Sequence, residues 1–207
     1  MSMKIRGRGK KLAATNTSGN ISDQTRNQGL TLVELLMVVA IIGILLSSGL
    51  THYREFAAKH QATVVVNWLI STIHFARYNA AKNNITVTLC ALEGEYCTRN
   101  WHRGLNIFAD SNQNGRLDNH EKLIASLKPT AAAGSILWRS FGNKPYLQFT
   151  SMGYTNFQNG NITYCPKDRS SRFRRQIVIT VQGRPRLVHT RNLADQPIDR
   201  QGRILRC

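Results

Sequence analysis

The chain has 207 residues, with 28 lysines and arginines against 11 acidic residues and a formal net charge of +17. That length has room for one long helix and a single small domain. Its six histidines are scattered and its four cysteines include no C-x-x-C pair, which argues against a metal centre on those residue types. The charge is concentrated: residues 162–207 hold 11 basic and 3 acidic side chains, an Arg-dominated segment of +8 on a body closer to balance.

Residues 1–29 read as a targeting segment and stay out of fold reasoning. Lys4, Arg6, Arg8, Lys10, Lys11 and Arg26 face Asp23 alone, a balance of +5. Basic flanks stay cytoplasmic, which places the rest of the chain outside the inner membrane. Leu30 to Leu50 follows, a 21-residue run almost wholly apolar except for Glu34. It is long enough to span a bilayer, and an ionised carboxylate at such a site is costly enough to signal a function. The junction Gly29-Leu30-Thr31-Leu32-Val33-Glu34 resembles the processing site of type IV pilins and type II secretion pseudopilins, with Leu30 where Phe is usual. The resemblance implies cleavage by a prepilin peptidase between Gly29 and Leu30, N-methylation of Leu30, and a role for Glu34 in packing against other pilins. The physical account agrees. A carboxylate one turn in from a free α-amine neutralises a neighbouring subunit's terminus, which offsets its desolvation.

The helical pattern continues past the apolar run. No Pro or Gly occurs from Thr51 to Lys82, and two rows recur at helical spacing: Tyr53, Phe56, His60, Val64, Trp68, Ser71, Phe75, Tyr78, and Val65, Leu69, Ile73, Ala76, Ala80. The spacing predicts one helix, about 78 Å long from Thr31 to Lys82, with a membrane-spanning half over 30–51 and an amphipathic half over 52–83 that buries its broad apolar face. Asn83-Asn84 ends it. Over 84–207 the period switches to two. Strands are expected at 85–92, 105–109, 122–127, 135–141, 146–150, 161–165, 175–182 and 184–190, separated by Gly- and Asn-rich turns. A long N-terminal helix packed on a small antiparallel β domain is an α+β fold.

The pieces Ala76-Arg77-Tyr78-Asn79-Ala80-Ala81-Lys82-Asn83, Trp101-His102-Arg103-Gly104, Phe108-Ala109-Asp110-Ser111-Asn112-Gln113-Asn114-Gly115, Phe149-Thr150-Ser151-Met152-Gly153 and Val181-Gln182-Gly183-Arg184 resemble the minor pilin and pseudopilin group containing FimT and GspH. The resemblance implies the type IV pilin fold.

Outside the inner membrane an even number of cysteines favours disulfides. Cys90 and Cys97 flank a turn and would close a hairpin, which leaves Cys165 with Cys207. The loop Asp110 to Glu121 matches a twelve-residue calcium loop, with side-chain oxygens from Asp110, Asn112, Asn114, Asp118 and Glu121 and Gly115 at the sharp turn. Its flanks read as strands rather than paired helices, and Asn and Asp side chains also brace turns. The sequence therefore assigns no metal and no cofactor, with calcium at this loop as the alternative. Catalysis has no support either: His102, His120 and His189 have no nucleophile partner in a motif, and no Gly-rich phosphate loop precedes a helix.

The arginines carry the functional reading. Arg172, Arg174 and Arg175 precede one expected strand, Arg184 and Arg186 open the next, and Arg191 closes it. Residues i and i+2 of an extended chain share a face, and Pro185 between Arg184 and Arg186 disfavours helix. A guanidinium grips phosphate oxygens bidentately. Gly183-Arg184-Pro185-Arg186 also resembles the G-R-x-R tail motif of FimT-like pilins implicated in DNA uptake. The expected function is that of a minor type IV pilin binding DNA sequence-independently in natural transformation. The alternative is a GspH-like pseudopilin at a type II secretion pseudopilus tip, with protein contacts in place of DNA.

Overall fold

The computed structural model describes residues 31–129, 134–167 and 170–207, with the side chains of 47–52 excepted. Two units divide between Leu45 and Leu46. In the first, helix α1 (Leu32–Asn83) begins. The Thr31 carbonyl accepts the Leu35 N–H at 3.1 Å, and Thr31 Oγ1 accepts the Glu34 N–H at 3.2 Å. Thr31 and Glu34 thus occupy the N-cap and N3 positions, the spacing of a capping box, and the Glu34 carboxylate lies where the helix dipole favours negative charge. Side chains on every side of this stretch are apolar and exposed, among them Leu36, Val39, Ile42 and Leu45. A helix apolar all round suits equally apolar surroundings. Among the described residues no helix is long and apolar enough to cross a membrane. The span expected over 30–51 includes Leu30 and side chains from 47 onward, and these lie outside the described residues, as do Gly29 and the expected cleavage point.

In the second unit the helix lays one stripe on the β domain. Ala62, Val65, Leu69, Ile73, Ala76 and Ala80 are all at most 1% exposed. The other expected row is not part of that face: Tyr53, Phe56, Phe75 and Tyr78 stand exposed, and Trp68 is only half-buried at the edge. The face is narrower than expected because the aromatic stripe beside it is turned outward. At the C-terminus Asn84 takes a positive φ of 54° and the Ile85 N–H reaches back to the Ala80 carbonyl at 3.2 Å. This is the six-to-one bond of a Schellman cap, with Asn in the place usual for Gly.

Among the described residues nine strands follow: β1 (Val87–Glu93), β2 (Tyr96–Thr98), β3 (Leu105–Ala109), β4 (Leu123–Leu127), β5 (Gly134–Ser140), β6 (Leu147–Phe149), β7 (Gly160–Pro166), β8 (Arg175–Ile179) and β9 (Pro185–Leu187). All pairings are antiparallel. The first sheet runs β2-β1-β3-β4, with β6 also on β1, and the second runs β5-β7-β8-β9. β2 is a strand the sequence pattern did not predict; it pairs with the end of β1 through Leu92↔Cys97. Inward residues of both sheets, including Leu89, Ile107, Phe149, Ile162 and Ile177, join the helix stripe in one core. Trp101 and Trp138 stack at its side with ring centroids 5.1 Å apart, and their indole N–H groups donate to the carbonyls of Pro145 and Tyr146 at 3.0 and 3.2 Å. Each buried indole therefore has its partner.

Two disulfides close the domain, Cys90–Cys97 across the β1–β2 hairpin and Cys165–Cys207 between β7 and the last residue. The tail beyond β9 is ordered by turns. Bridges join Arg191 to Pro197 and Ile198 to Ile204, Leu205 is 3% exposed, and its carbonyl accepts from Arg174 Nη1 at 2.6 Å.

Candidate nucleic-acid interface

The β8–β9 hairpin presents the Gly-Arg-Pro-Arg segment. Gly183 at its turn has φ +71°, and a Cβ there would meet the Gly153 carbonyl oxygen at 2.4 Å. Glycine is therefore required for conformation and for space. Gly153 in turn is held by Arg77, whose Nε donates to its carbonyl at 2.8 Å. Three of the family-like pieces, around Arg77, Gly153 and Gly183, thus meet at one point and fix the turn.

Beyond the turn the register pairs Val178 with Arg186 and Ile179 with Pro185, and the Thr180 N–H reaches the Arg184 carbonyl at 3.4 Å. Arg184 and Arg186 therefore lie opposite Thr180 and Val178, on the face of the second sheet away from the core side marked by Ile177 and Ile179. Pro185 lacks an N–H and fits the edge strand. Both arginines are exposed, and neither guanidinium makes a hydrogen bond or ion pair with any described residue.

The other four expected arginines have protein partners. Arg172 pairs with Glu55 at 2.9 Å and Asp195 at 3.3 Å, and Arg191 with Asp195 at 2.8 Å. Arg174 carries the bond to Leu205. Arg175 donates to the carbonyls of Arg172 and Arg174 at 3.1 and 2.8 Å. Burial, together with the nearby Arg191 charge, pushes the Arg175 guanidinium below its ordinary value. The Arg191 hydrogen bond holds the Asp195 carboxyl below the usual carboxylate range. In the next turn the Arg203 backbone N–H does the same for Asp199. These six candidates thus divide into two exposed side chains without a described partner, three that brace the tail, and Arg175, which binds the carbonyls of the turn before its own strand. The charge count could not separate them, since their partners sit on the distant helix and tail.

The Asp110–Glu121 loop is closed by its own side chains. Asp110 is fully buried; its Oδ2 accepts Thr88 Oγ1 at 2.5 Å, Gln148 Nε2 at 2.7 Å and the Gly115 N–H at 3.0 Å, and its Oδ1 the Asn114 N–H at 3.1 Å. Asn112 and Asn114 turn their amide NH2 groups toward Asp118 Oδ2 at 2.8 and 2.9 Å, and these bonds hold that carboxyl below its ordinary value. Glu121 accepts the Ser111 and Asp118 N–H groups at 2.8 and 3.2 Å. In this arrangement Asp110 points into the domain and the remaining carboxylates serve as turn acceptors. Among the described residues, Asp118, His120 and Glu121 bring ligand-type atoms within 4.8 Å of one another.

Residues 54–183 match the family model for the type II transport protein GspH. The chain belongs to the GspH family. Residues 24–50 of this GspH-family chain also match the prokaryotic N-terminal methylation motif. Together the two matches make it a pilin-like or pseudopilin-like subunit, with the prepilin-type N-terminus of proteins that are anchored in a membrane and associate with other pilins in a filament. Among solved structures it is similar to the Pseudomonas aeruginosa type IV minor pilin FimU in two crystal forms. One is 19% identical, covering 64% of this chain and 91% of that one at a TM-score of 0.46; the other is 18% identical, covering 64% and 90% at 0.39. No curated protein matches it.

Proposed function

We propose that this GspH-family chain is a minor type IV pilin that binds DNA without regard to sequence, and that it serves DNA uptake in natural transformation. One observation carries the reading. Arg184 and Arg186 project from one face of an edge strand, their guanidinium groups exposed and with no described partner, while Arg172, Arg174 and Arg191 are engaged in holding the tail. Such a pair suits the phosphate backbone, which supplies sequence-independent affinity. The segment that carries the pair is an edge strand and not a helix that could enter a groove to read base edges. The remaining parts follow the same scheme. The chain inserts through 30–51 with its leader in the cytoplasm and is cut after Gly29 and methylated on Leu30. It then packs through Glu34 against neighbouring pilins, with its domain outside the inner membrane. Two disulfides suit that oxidising side.

The test is a mobility shift with the full chain in detergent micelles and two unrelated duplexes. Equal affinity for both, lowered in Arg184→Gln/Arg186→Gln, is expected; no retardation of either duplex overturns the proposal. A second reading, a type II secretion pseudopilin with protein contacts in place of DNA, draws on the description of the matching family, and the absence of retardation would favour it.

A further inference from the structure

The face that carries Arg184 and Arg186 extends beyond the edge strand. Register places Arg139 opposite Asn161, Asn161 opposite Val178 and Val178 opposite Arg186, one row across all four strands of the second sheet. Directly opposed residues share a face, so Arg139 and Arg186 stand at the two ends of that row. Three strand spacings put them about 14 Å apart, roughly four steps of rise along one nucleic-acid strand.

The C-terminal tail lies along the same face. A groove of about 430 Å³ has Arg139, Asn161 and Val178 on the sheet side and Asp199, Arg200 and Arg203 on the tail side. A neighbouring groove of about 340 Å³ adds Arg206 beside Arg139. The tail is tied there by the Cys165–Cys207 bond and by Leu205. Among the described residues the one carboxylate lining these grooves, Asp199, is already engaged by Arg203 at 2.9 Å and by the backbone N–H groups of Gln201 and Arg203. Arg139, Arg200 and Arg206 are exposed, and their guanidinium groups make no hydrogen bond or ion pair with any described residue. Arg139 lines both of these adjoining grooves, Arg200 the first and Arg206 the second, and with Asp199 already paired the three leave an excess of positive charge that suits a repeating anion.

We infer that this groove is a second phosphate-binding segment, in which Arg139, Arg200 and Arg206 neutralise further phosphodiesters of the strand gripped at Arg184 and Arg186. The inference rests on the DNA-binding reading and extends it. The disulfide-tied tail then has a function beyond stability, since it carries two of the three arginines to the sheet.

The experiment measures affinity of the full chain, in detergent micelles, for a duplex of about 20 base pairs across a range of salt. Each phosphate contact contributes about −0.9 to the log–log slope. Arg139→Gln/Arg200→Gln/Arg206→Gln should flatten the slope by about two to three, and Arg184→Gln/Arg186→Gln by about two. Arg139→Lys/Arg200→Lys/Arg206→Lys should keep the wild-type slope. Peptide mapping of Cys165–Cys207 in each variant checks that the tail is in place. If the double variant flattens the slope and the triple Gln variant does not, the groove carries no phosphate and the hairpin reading stands alone. If neither does, both readings fail. If the Lys variant flattens the slope as much as the Gln variant, the charge argument for the groove is overturned.

Discussion

Asp110 offers the sharpest test of how the domain is held together. Its carboxylate is fully buried and accepts four hydrogen bonds, two of them from the side chains of Thr88 and Gln148, which are themselves at most 1% exposed. Asp110→Ala leaves both of those donors without an acceptor in the core. At about 1–3 kcal/mol for each stranded group, the substitution should cost about 2–6 kcal/mol. Asp110→Asn keeps the shape and one oxygen. With that oxygen in the Oδ2 position three bonds survive, and the Asn114 N–H keeps Asn112 Oδ1 at 3.2 Å but faces an amide donor in place of Oδ1, for about 1–2 kcal/mol. Urea unfolding followed by fluorescence of the buried Trp101–Trp138 pair reads both, as a shift in midpoint at constant slope. A loss below about 0.5 kcal/mol in Asp110→Ala would refute the hydrogen-bond reasoning. Calcium provides the control: saturation to about one hundred times a dissociation constant stabilises by about 2.7 kcal/mol. Because Asp110 faces the domain, the midpoint should instead be the same in calcium and in chelator.

Cys165→Ser/Cys207→Ser should lower stability by about 4 kcal/mol and Cys90→Ser/Cys97→Ser by about 2 kcal/mol, from separations of 42 and 7 residues; equal losses in urea unfolding would contradict the loop-closure argument. Gly29→Val should block removal of the leader, because a peptidase must approach the backbone there, and intact mass would show the leader retained. Glu34→Ala should be processed to normal mass yet recovered poorly in sheared filaments, while normal filament content would count against a packing role. The tail should be acid-labile only at low pH. The carboxyls of Asp195 and Asp199 are held below their ordinary 3.8, so their contribution is fully present above that value and is lost as pH falls through the depressed ones. Hydrogen exchange over residues 192–206 should be pH-corrected to a constant down to about pH 4 and rise below it; loss of protection near pH 6 would reject the assignment.

Much of the fold could be read locally. The period-two pattern found β3 to the residue and β5 within one. Asn83-Asn84 marked the helix end, and Asn84 indeed supplies the positive φ that the cap requires. The helix face was harder to read. Two rows of apolar residues fit the same period, and periodicity alone does not say which of them meets the sheet; the buried one is Val65, Leu69, Ile73, Ala76 and Ala80. β2 escaped because its three residues show no alternation of burial. The Asp110 loop was legible as a turn, but its partners Thr88 and Gln148 lie 22 and 38 residues away. The arginines were countable, yet their roles depend on where the tail runs. Glu55, which pairs with Arg172 across 117 positions, could not be foreseen from the C-terminal segment. Arg139 joins the basic face through strand register alone.

The central claim is that Arg184 and Arg186 bind DNA phosphates. The most direct measurement is the salt dependence of duplex affinity for the full chain and for Arg184→Gln/Arg186→Gln, with Lys59→Gln on the helix as the control. The account predicts a steep log–log slope in the wild type and a slope flatter by about two in the double variant. Affinity should fall alike for unrelated sequences, and Lys59→Gln should behave as wild type. A correctly folded double variant with unchanged slope and affinity would contradict it.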